Sequence, residues 1–560
     1  MDDFKSNIVF YLLQKFVSDE MKNTILLVLL SLTMNILYVN VISRITASII
    51  NAAQNLEIEN IYNYFKYFII VSVVFLVIYH IYKSIQSNLI SKLRQWIKLE
   101  LIKIILTINN NNLNQINMTE INIPINRIAA ACFLMYNSFI THIFPNFMLL
   151  LVIFGYFAYK NLNYGIIFLI ANIVIILTIY CRYYIIRESN ILYENAILKD
   201  ESNLLEILNN FDRIIQRGNY EFEHNNYSID NTNTVNASIK FYLNANREGL
   251  YVIILMNLTI FINIAYLIYL FINKEIDIQL FITFFTIILI YREKLFTVIQ
   301  HIPDYAEFMG RGYMMMAYFK DFIKVYRNIL NSKKNKINLV FNDIVFENVS
   351  FEYNKNKDQT FNKSVLQNFN LHIKLIGLVG ITGPSGKGKS TIGKLIIKLY
   401  KYKGKITIDG IDIKQIDNVF LRNNIIYIDQ NSKFFDRKII ENLLYGCDSN
   451  DEHCVLHFKN IRSSFPKIDG IIRLLDIENK KAGLHGNNLS GGQRQVVNII
   501  NGLIQKAQVI IIDEPTNALD PELKKEVIQL IQIYKKHKKA IIVITHDKDL
   551  MAVLDEHIKI

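Results

Sequence analysis

Cysteine is scarce: Cys132, Cys181, Cys447 and Cys454 are the only four in 560 residues. They are too scattered for a disulfide framework. Cys447 and Cys454 lie near His453 and His457, but that spacing fits no usual zinc pattern, so no such metal centre is expected. Strong charge is nearly missing from the centres of the long apolar runs, which disfavours a small charged ion or a proton relay as cargo. Sustained heptads are missing as well, and no internal repeat duplicates the C-terminal half. A cleavable leader is not visible either, because the first apolar run follows a polar start and reads as a membrane span.

What the chain does have is apolar mass, with 51% hydrophobic residues, high for a soluble protein of this size. Six runs stand out, at residues 24–43, 64–82, 144–159, 164–181, 250–272 and 278–291. Some fall short of the roughly 20 residues a bilayer needs, so their helices are expected to extend into water. Basic residues set the orientation. The loop between the second and third runs carries Lys83, Lys92, Arg94, Lys98, Lys103 and Arg127. That between the fourth and fifth carries Arg182, Arg187, Lys199, Arg213, Arg217, Lys240 and Arg247. The opposite loops hold only Arg44, Lys160 and Lys274. By the positive-inside rule both long loops and both termini are cytosolic.

The net charge of +12 is accounted for by these flanks and by the lysine-rich stretch at 331–338. No nucleic-acid partner is needed to explain it. Asn35, Asn40, Asn172, Asn257 and Asn263 sit within the runs and read as helix-bridging residues rather than cavity polar groups. The organisation expected is a helical membrane domain over 1–325, a polar linker over 326–340 and an α/β domain over 341–560.

The C-terminal block carries the chemistry. Gly383, Pro384, Ser385, Gly386, Lys387, Gly388, Lys389, Ser390 and Thr391 follow an apolar strand and precede a helical pattern. That context suits a loop whose backbone N–H groups curl around phosphate, with Lys389 neutralising the outer phosphates and Ser390 holding Mg²⁺. The apolar strand 509–512 delivers Asp513 and Glu514 to its C-terminal end. Alternation of side chains along a strand would send them to opposite faces, Asp513 toward Mg²⁺ and Glu514 toward an attacking water.

With Leu489, Ser490, Gly491, Gly492 and Gln493 in the order L-S-G-G-Q, this block resembles the nucleotide-binding domain of ATP-binding cassette transporters. The resemblance implies an α-helical transmembrane domain of six helices followed by a P-loop α/β domain, with ATP and Mg²⁺ as ligands. It further implies that Tyr353 stacks on adenine, Gln430 senses Mg²⁺ and water, Asp520 lies at a dimer seam and His546 contacts the γ-phosphate. In this family each ATP lies between two cassettes, so the signature residues 489–493 would serve the site of a partner, either a second copy or a related half-transporter.

The cytosolic loops resemble those of exporters, with tips at 114–128 and 203–221 that touch the cassettes. Locally both tips read as amphipathic helices. Three features depart from the exporter pattern: Leu484 stands where a glutamate is usual, "ITHD" surrounds His546, and the chain ends about one strand after that histidine. The function implied is ATP-driven export by a dimeric half-transporter. An ATP-gated channel or regulatory subunit shares the architecture, but such members often lose a catalytic glutamate or signature residue, and none is lost here. Soluble chromosome or repair ATPases share a similar signature, yet they would show long heptads in place of the apolar runs.

Overall fold

The computed structural model describes residues 7–109, 121–331, 339–353, 364–384, 386–447 and 452–560. The chain divides into two compact units that part between Arg327 and Asn328.

The first unit is helical. It starts with α1 (Ile8–Asp19), whose N-terminus is capped by the Asn7 side chain. Next comes α2 (Met21–Ile36), which runs through a π-helical segment (Leu37–Ile42) into α3 (Ser43–Gln54). The long helix α4 (Ile58–Asn109) follows. Then α5 (Asn122–Ser138) passes through a second π-helical segment (Phe139–Ile143) into α6 (Phe144–Lys160). Asn161 alone joins α6 to α7 (Leu162–Asn209), and its side chain caps α7 by accepting from the Tyr164 amide at 3.0 Å. The tip helix α8 (Phe211–Arg217) ends at Gly218, which takes the left-handed conformation, and α9 (Tyr220–Ile272) returns along α7. Asp277 caps α10 (Ile278–Gln300), followed by α11 (Ile302–Tyr318) and α12 (Lys320–Asn331).

Five helical stretches are long and apolar enough to cross a membrane: Met21–Gln54, Ile58–Asn109, Asn122–Lys160, Leu162–Asn209 and Tyr220–Ile272. They contain the first five runs read from the sequence. The sixth run opens α10, where the uncharged stretch 278–291 is followed at once by Arg292, Glu293 and Lys294. At 52 residues α4 is about 78 Å long at 1.5 Å per residue, more than twice the hydrocarbon thickness of a bilayer. The helices therefore continue far into water, as expected from short apolar runs in long loops.

Inside the unit, Phe157 is ringed by Phe284, Tyr164 and Phe168 at centroid distances of 4.4, 4.9 and 5.2 Å. Beyond the apolar runs the packing becomes ionic. Glu194 is fully buried and paired with Arg127, which also meets Glu201 at 3.0 Å, while Arg311 holds Glu307 at 2.6 Å. The asparagines act as the sequence suggests. Asn35 donates to the Pro145 carbonyl, Asn172 accepts from the Tyr291 hydroxyl, and Asn257 accepts from Arg292. Asn263 donates to the Thr259 carbonyl within its own helix.

The second unit is α/β. An antiparallel sheet, in the order β2-β1-β4-β5, contains β1 (Asp343–Glu352), β2 (Ser364–Lys374), β4 (Lys403–Ile408) and β5 (Ile411–Asp412). A parallel sheet contains β3 (Gly377–Thr382), β6 (Ile425–Ile428), β7 (Val509–Asp513), β8 (Ala540–Ile544) and β9 (Glu556–Lys559), ordered β6-β7-β8-β3-β9. Every residue of β7 and β8 is buried, which is why these strands are unbroken aliphatic runs up to Asp513 and Ile544. The helices of this unit are α13 (Lys389–Ile396), α14 (Asn418–Asn424), α15 (Ile439–Leu443), α16 (Glu452–Ser464), α17 (Pro466–Leu474), α18 (Gly491–Ile504), α19 (Pro521–Tyr534) and α20 (Lys548–Met551).

Three expectations change. The stretch read as a linker from residue 326 is helical through Asn331, because Phe319, Ile323 and Tyr326 bury one face of that segment. Its remainder at 332–338 lies outside the described residues, as does the part of the first loop tip at 114–120. Cys447 and Cys454 form a disulfide, where none was expected. Cys447 ends the turn after α15 and Cys454 sits in the first turn of α16, so their Cα atoms stand 6.4 Å apart, within disulfide reach. No metal-holding group of three or more His, Cys, Asp or Glu side chains occurs among the described residues.

Candidate nucleotide-binding site

In a parallel sheet, the carboxyl ends of the strands open on the crevice where ligands collect. The loop after β3, the end of β7, the loop after β6 and the end of β8 meet at that edge, around a cavity of about 750 Å³. Gly383, Gly388, Lys389, Gln430, Glu514 and His546 all line it, as do Tyr353, Pro384, Gly386, Ser390 and Thr391. Lys387 is exposed and does not line the cavity, and Ser385 lies outside the described residues.

The phosphate loop needs glycine where its backbone turns. Gly386 and Gly388 hold φ of 83° and 87°, in the left-handed region. Gly383 has a second constraint, because a Cβ there would come within 2.6 Å of the Ile560 carbonyl oxygen. Lys389 is mostly buried and its ammonium donates to the carbonyls of Gly383 at 2.9 Å and Pro384 at 3.0 Å, which holds it across the loop. Thr391 meets the Tyr353 hydroxyl at 3.1 Å, and the Tyr353 ring lies edge-on to Phe351 and Tyr400.

The two carboxylates at the end of β7 are separated more sharply than strand alternation would do. Asp513 is the last strand residue, but Glu514 takes φ of 49°, a left-handed turn outside the strand. The alternation argument therefore stops one residue short of Glu514. Its amide donates to the Ile544 carbonyl at 2.8 Å and its carbonyl accepts from the buried Gln495 side chain at 3.2 Å. Held this way, Glu514 places Oε1 2.8 Å from Nδ1 of the exposed His546.

Asp513 is buried. Its Oδ2 accepts from the Tyr427 hydroxyl at 2.7 Å, whereas Oδ1 is buried with no hydrogen-bond partner. A buried carboxylate oxygen left open next to Ser390 and Gln430 is a donor set that fits a hard, oxygen-preferring cation such as Mg²⁺. Burial, reinforced by the adjoining Asp513 carboxylate, pushes the Tyr427 phenol far above its usual range, so it stays a proton donor.

The five signature residues do not line this cavity. Ser490 caps α18 with a reciprocal box: its Oγ accepts from the Gln493 amide at 3.3 Å and its amide donates to Gln493 Oε1 at 2.9 Å. Leu489 is buried as an anchor while Ser490 is exposed. The result is a presented helix N-terminus, the kind of end that receives anions. Asp520 is exposed and caps α19, accepting from the Glu522 and Leu523 amides. Leu484 projects into solvent.

Sequence reasoning missed Tyr427, Gln495 and Asp547. Asp547 accepts from Thr516 at 2.8 Å and pairs with Lys524 at 2.8 Å, which ties the turn after Glu514 to the turn after His546. A tyrosine inside an otherwise all-isoleucine strand was the available signal for the first, since a buried hydroxyl must find a partner.

Residues 366–517 match the family model for the ABC transporter domain. A lactococcin-G-processing and transport ATP-binding protein of Lactococcus lactis is 30% identical over 297 residues, which is 51% of this chain and 39% of that protein. An ATP-dependent lipid A-core flippase of Desulfotalea psychrophila is 34% identical over 190 residues, covering 34% of this chain and 32% of that protein. The chain thus spans well under half the length of these curated relatives. In fold it is similar to a bacterial Atm1-family ABC exporter with ATP bound, at a TM-score of 0.76 and 19% identity, over 97% of this chain and 93% of that one.

Proposed function

We infer the work of this chain from what it is, a multi-pass membrane protein with the ABC transporter domain and the fold of an ABC exporter: a half-transporter that pairs, hydrolyses ATP and exports a substrate. One observation carries the reading. The phosphate loop, Gln430, Glu514 and His546 converge on one cavity, while Ser490, Gly491 and Gly492 of the same domain stay outside it on a presented helix end. Such a division makes sense if each signature serves the cavity of another copy.

In this reading Lys389 and the backbone amides of 386–391 hold the outer phosphates, and Tyr353 stacks on the base. Glu514 orients and polarises the attacking water, with its backbone fixed from two sides and its carboxylate steadied by His546. Ser390, Asp513 and Gln430 would hold Mg²⁺, which supplies charge neutralisation on the transferring phosphoryl group. A partner's Ser490 and its helix N-terminus would complete the γ-phosphate's surroundings, so ATP favours the closed pair and hydrolysis releases it. Asp520 would lie along the seam between the cassettes. A second copy suffices as partner, and a related half-transporter would present the same surfaces.

The reading is tested by reconstituting the purified full chain in liposomes with its nucleotide-binding units outward. A panel of labelled peptides, lipids and amphipathic drugs is then followed with ATP and with a non-hydrolysable analogue. ATP-dependent accumulation of at least one class inside the vesicles is expected. Downhill leak that opens with ATP and never accumulates solute would identify a gated channel instead.

A further inference from the structure

The buried pair formed by Tyr427 and Asp513 has no role in the account so far. Strand β6 lies parallel to β7 with Tyr427 opposite Ile511, so Tyr427 shares a sheet face with Ile511 and with Asp513 two residues on. Its hydroxyl crosses to Asp513 Oδ2 at 2.7 Å and leaves Oδ1 buried and open. The neighbourhood makes room for the ring. A Cβ on Gly393 would come within 2.6 Å of it, which explains a glycine inside α13, where alanine would favour the helix by about 1 kcal/mol. On the other side Lys394 stands 5.9 Å from the ring centroid and pairs with Asp429 at 3.0 Å, the residue just before Gln430.

We propose that Tyr427 is a positioning residue for Mg²⁺, locking Asp513 in the rotamer that presents Oδ1 to the metal. The proposal rests on the reading of Asp513 as a Mg²⁺ ligand. A carboxylate free to rotate would offer either oxygen to the metal and hold it less tightly. One hydrogen bond from the next strand removes that freedom, which is the usual contribution of an outer-shell partner. The same strand leads directly into Gln430, so β6 sets two of the three residues assigned to the metal from a single rigid element.

The test uses the full-length protein in detergent, with Mn²⁺ as a paramagnetic probe and ADP or ATP as nucleotide. Tyr427→Phe keeps the ring and removes only the hydroxyl. The expected result is nucleotide-dependent Mn²⁺ binding weakened about ten-fold or more, within the ~10–100-fold range of lost outer-shell contacts, with an altered electron paramagnetic resonance signal. Nucleotide binding in excess chelator should be unchanged. Unchanged Mn²⁺ affinity would overturn the proposal, and so would an equal loss of metal-free nucleotide binding, since that marks a packing role. Asp513→Asn separates the two levels: if it leaves Mn²⁺ binding intact, the reading of Asp513 fails and the proposal falls with it.

Discussion

His546 Nδ1 lies 2.8 Å from Glu514 Oε1, although the two residues are 32 apart in the chain and end different strands. The contact exists because Glu514 leaves β7 in a left-handed turn and is tied by its amide to Ile544, two residues before His546. Glu514→Gln preserves size and the backbone ties but removes the negative charge. It should lower ATP turnover at least ~100-fold while ATP binding persists. Steady-state phosphate release and equilibrium nucleotide binding check both halves of that expectation, and unchanged turnover would remove Glu514 from the mechanism.

Glu194 is fully buried among Arg127 and Arg311 in the helical unit. Truncating one member of a buried ion group leaves the others uncompensated, at a cost of about 3–5 kcal/mol. Glu194→Ala should therefore lower the thermal midpoint of the detergent-solubilised protein well below that of Lys199→Ala, whose partner Asp230 and itself are more exposed. Equal midpoints for the two variants would show that the buried cluster contributes little to stability.

His457 sits in α16 with Nδ1 3.0 Å from the Tyr534 hydroxyl. Burial, with His453, His537 and Lys538 nearby, holds its pKa below the ordinary histidine value. In the folded state the neutral ring is favoured, while the unfolded chain takes up a proton near pH 6.5. Stability from this site is thus complete above about pH 6.5 and is lost as pH falls through that value toward the folded pKa. Thermal unfolding should show a midpoint that drops between pH 7 and pH 5.5, and the drop should shrink in His457→Asn. A pH dependence identical in the two proteins would contradict the assignment.

The sequence made some of this legible and hid the rest for physical reasons. The phosphate loop and the signature were readable because their chemistry is local: consecutive glycines, a lysine and a helix cap lie within nine residues or fewer of one another. Tyr427 and Asp513 were not, since 86 residues separate them and only the parallel register of β6 on β7 brings them together. Glu514 escaped the alternation rule because its φ of 49° is a tertiary compromise that no strand pattern encodes. The apolar runs located the membrane spans but understated the helices, whose outer halves are held by ion pairs such as Arg127 with Glu194 rather than by apolar packing. The Cys447–Cys454 pair depended on how the turn after α15 meets α16, which spacing alone does not fix.

The most direct test of the central claim, that each ATP site is built from two chains, is a mixing experiment with the full-length protein. Lys389→Ala disables the phosphate loop of its own chain, and Ser490→Arg blocks the exposed signature that would serve the other. Either variant alone should be inactive, because both sites of the pair are damaged. In a co-assembled pair the two defects fall on one site and leave the second intact, so ATP turnover of the mixture should rise well above that of either parent. Turnover of the mixture equal to the average of the two parents would show that each chain completes its own site, and would contradict the account.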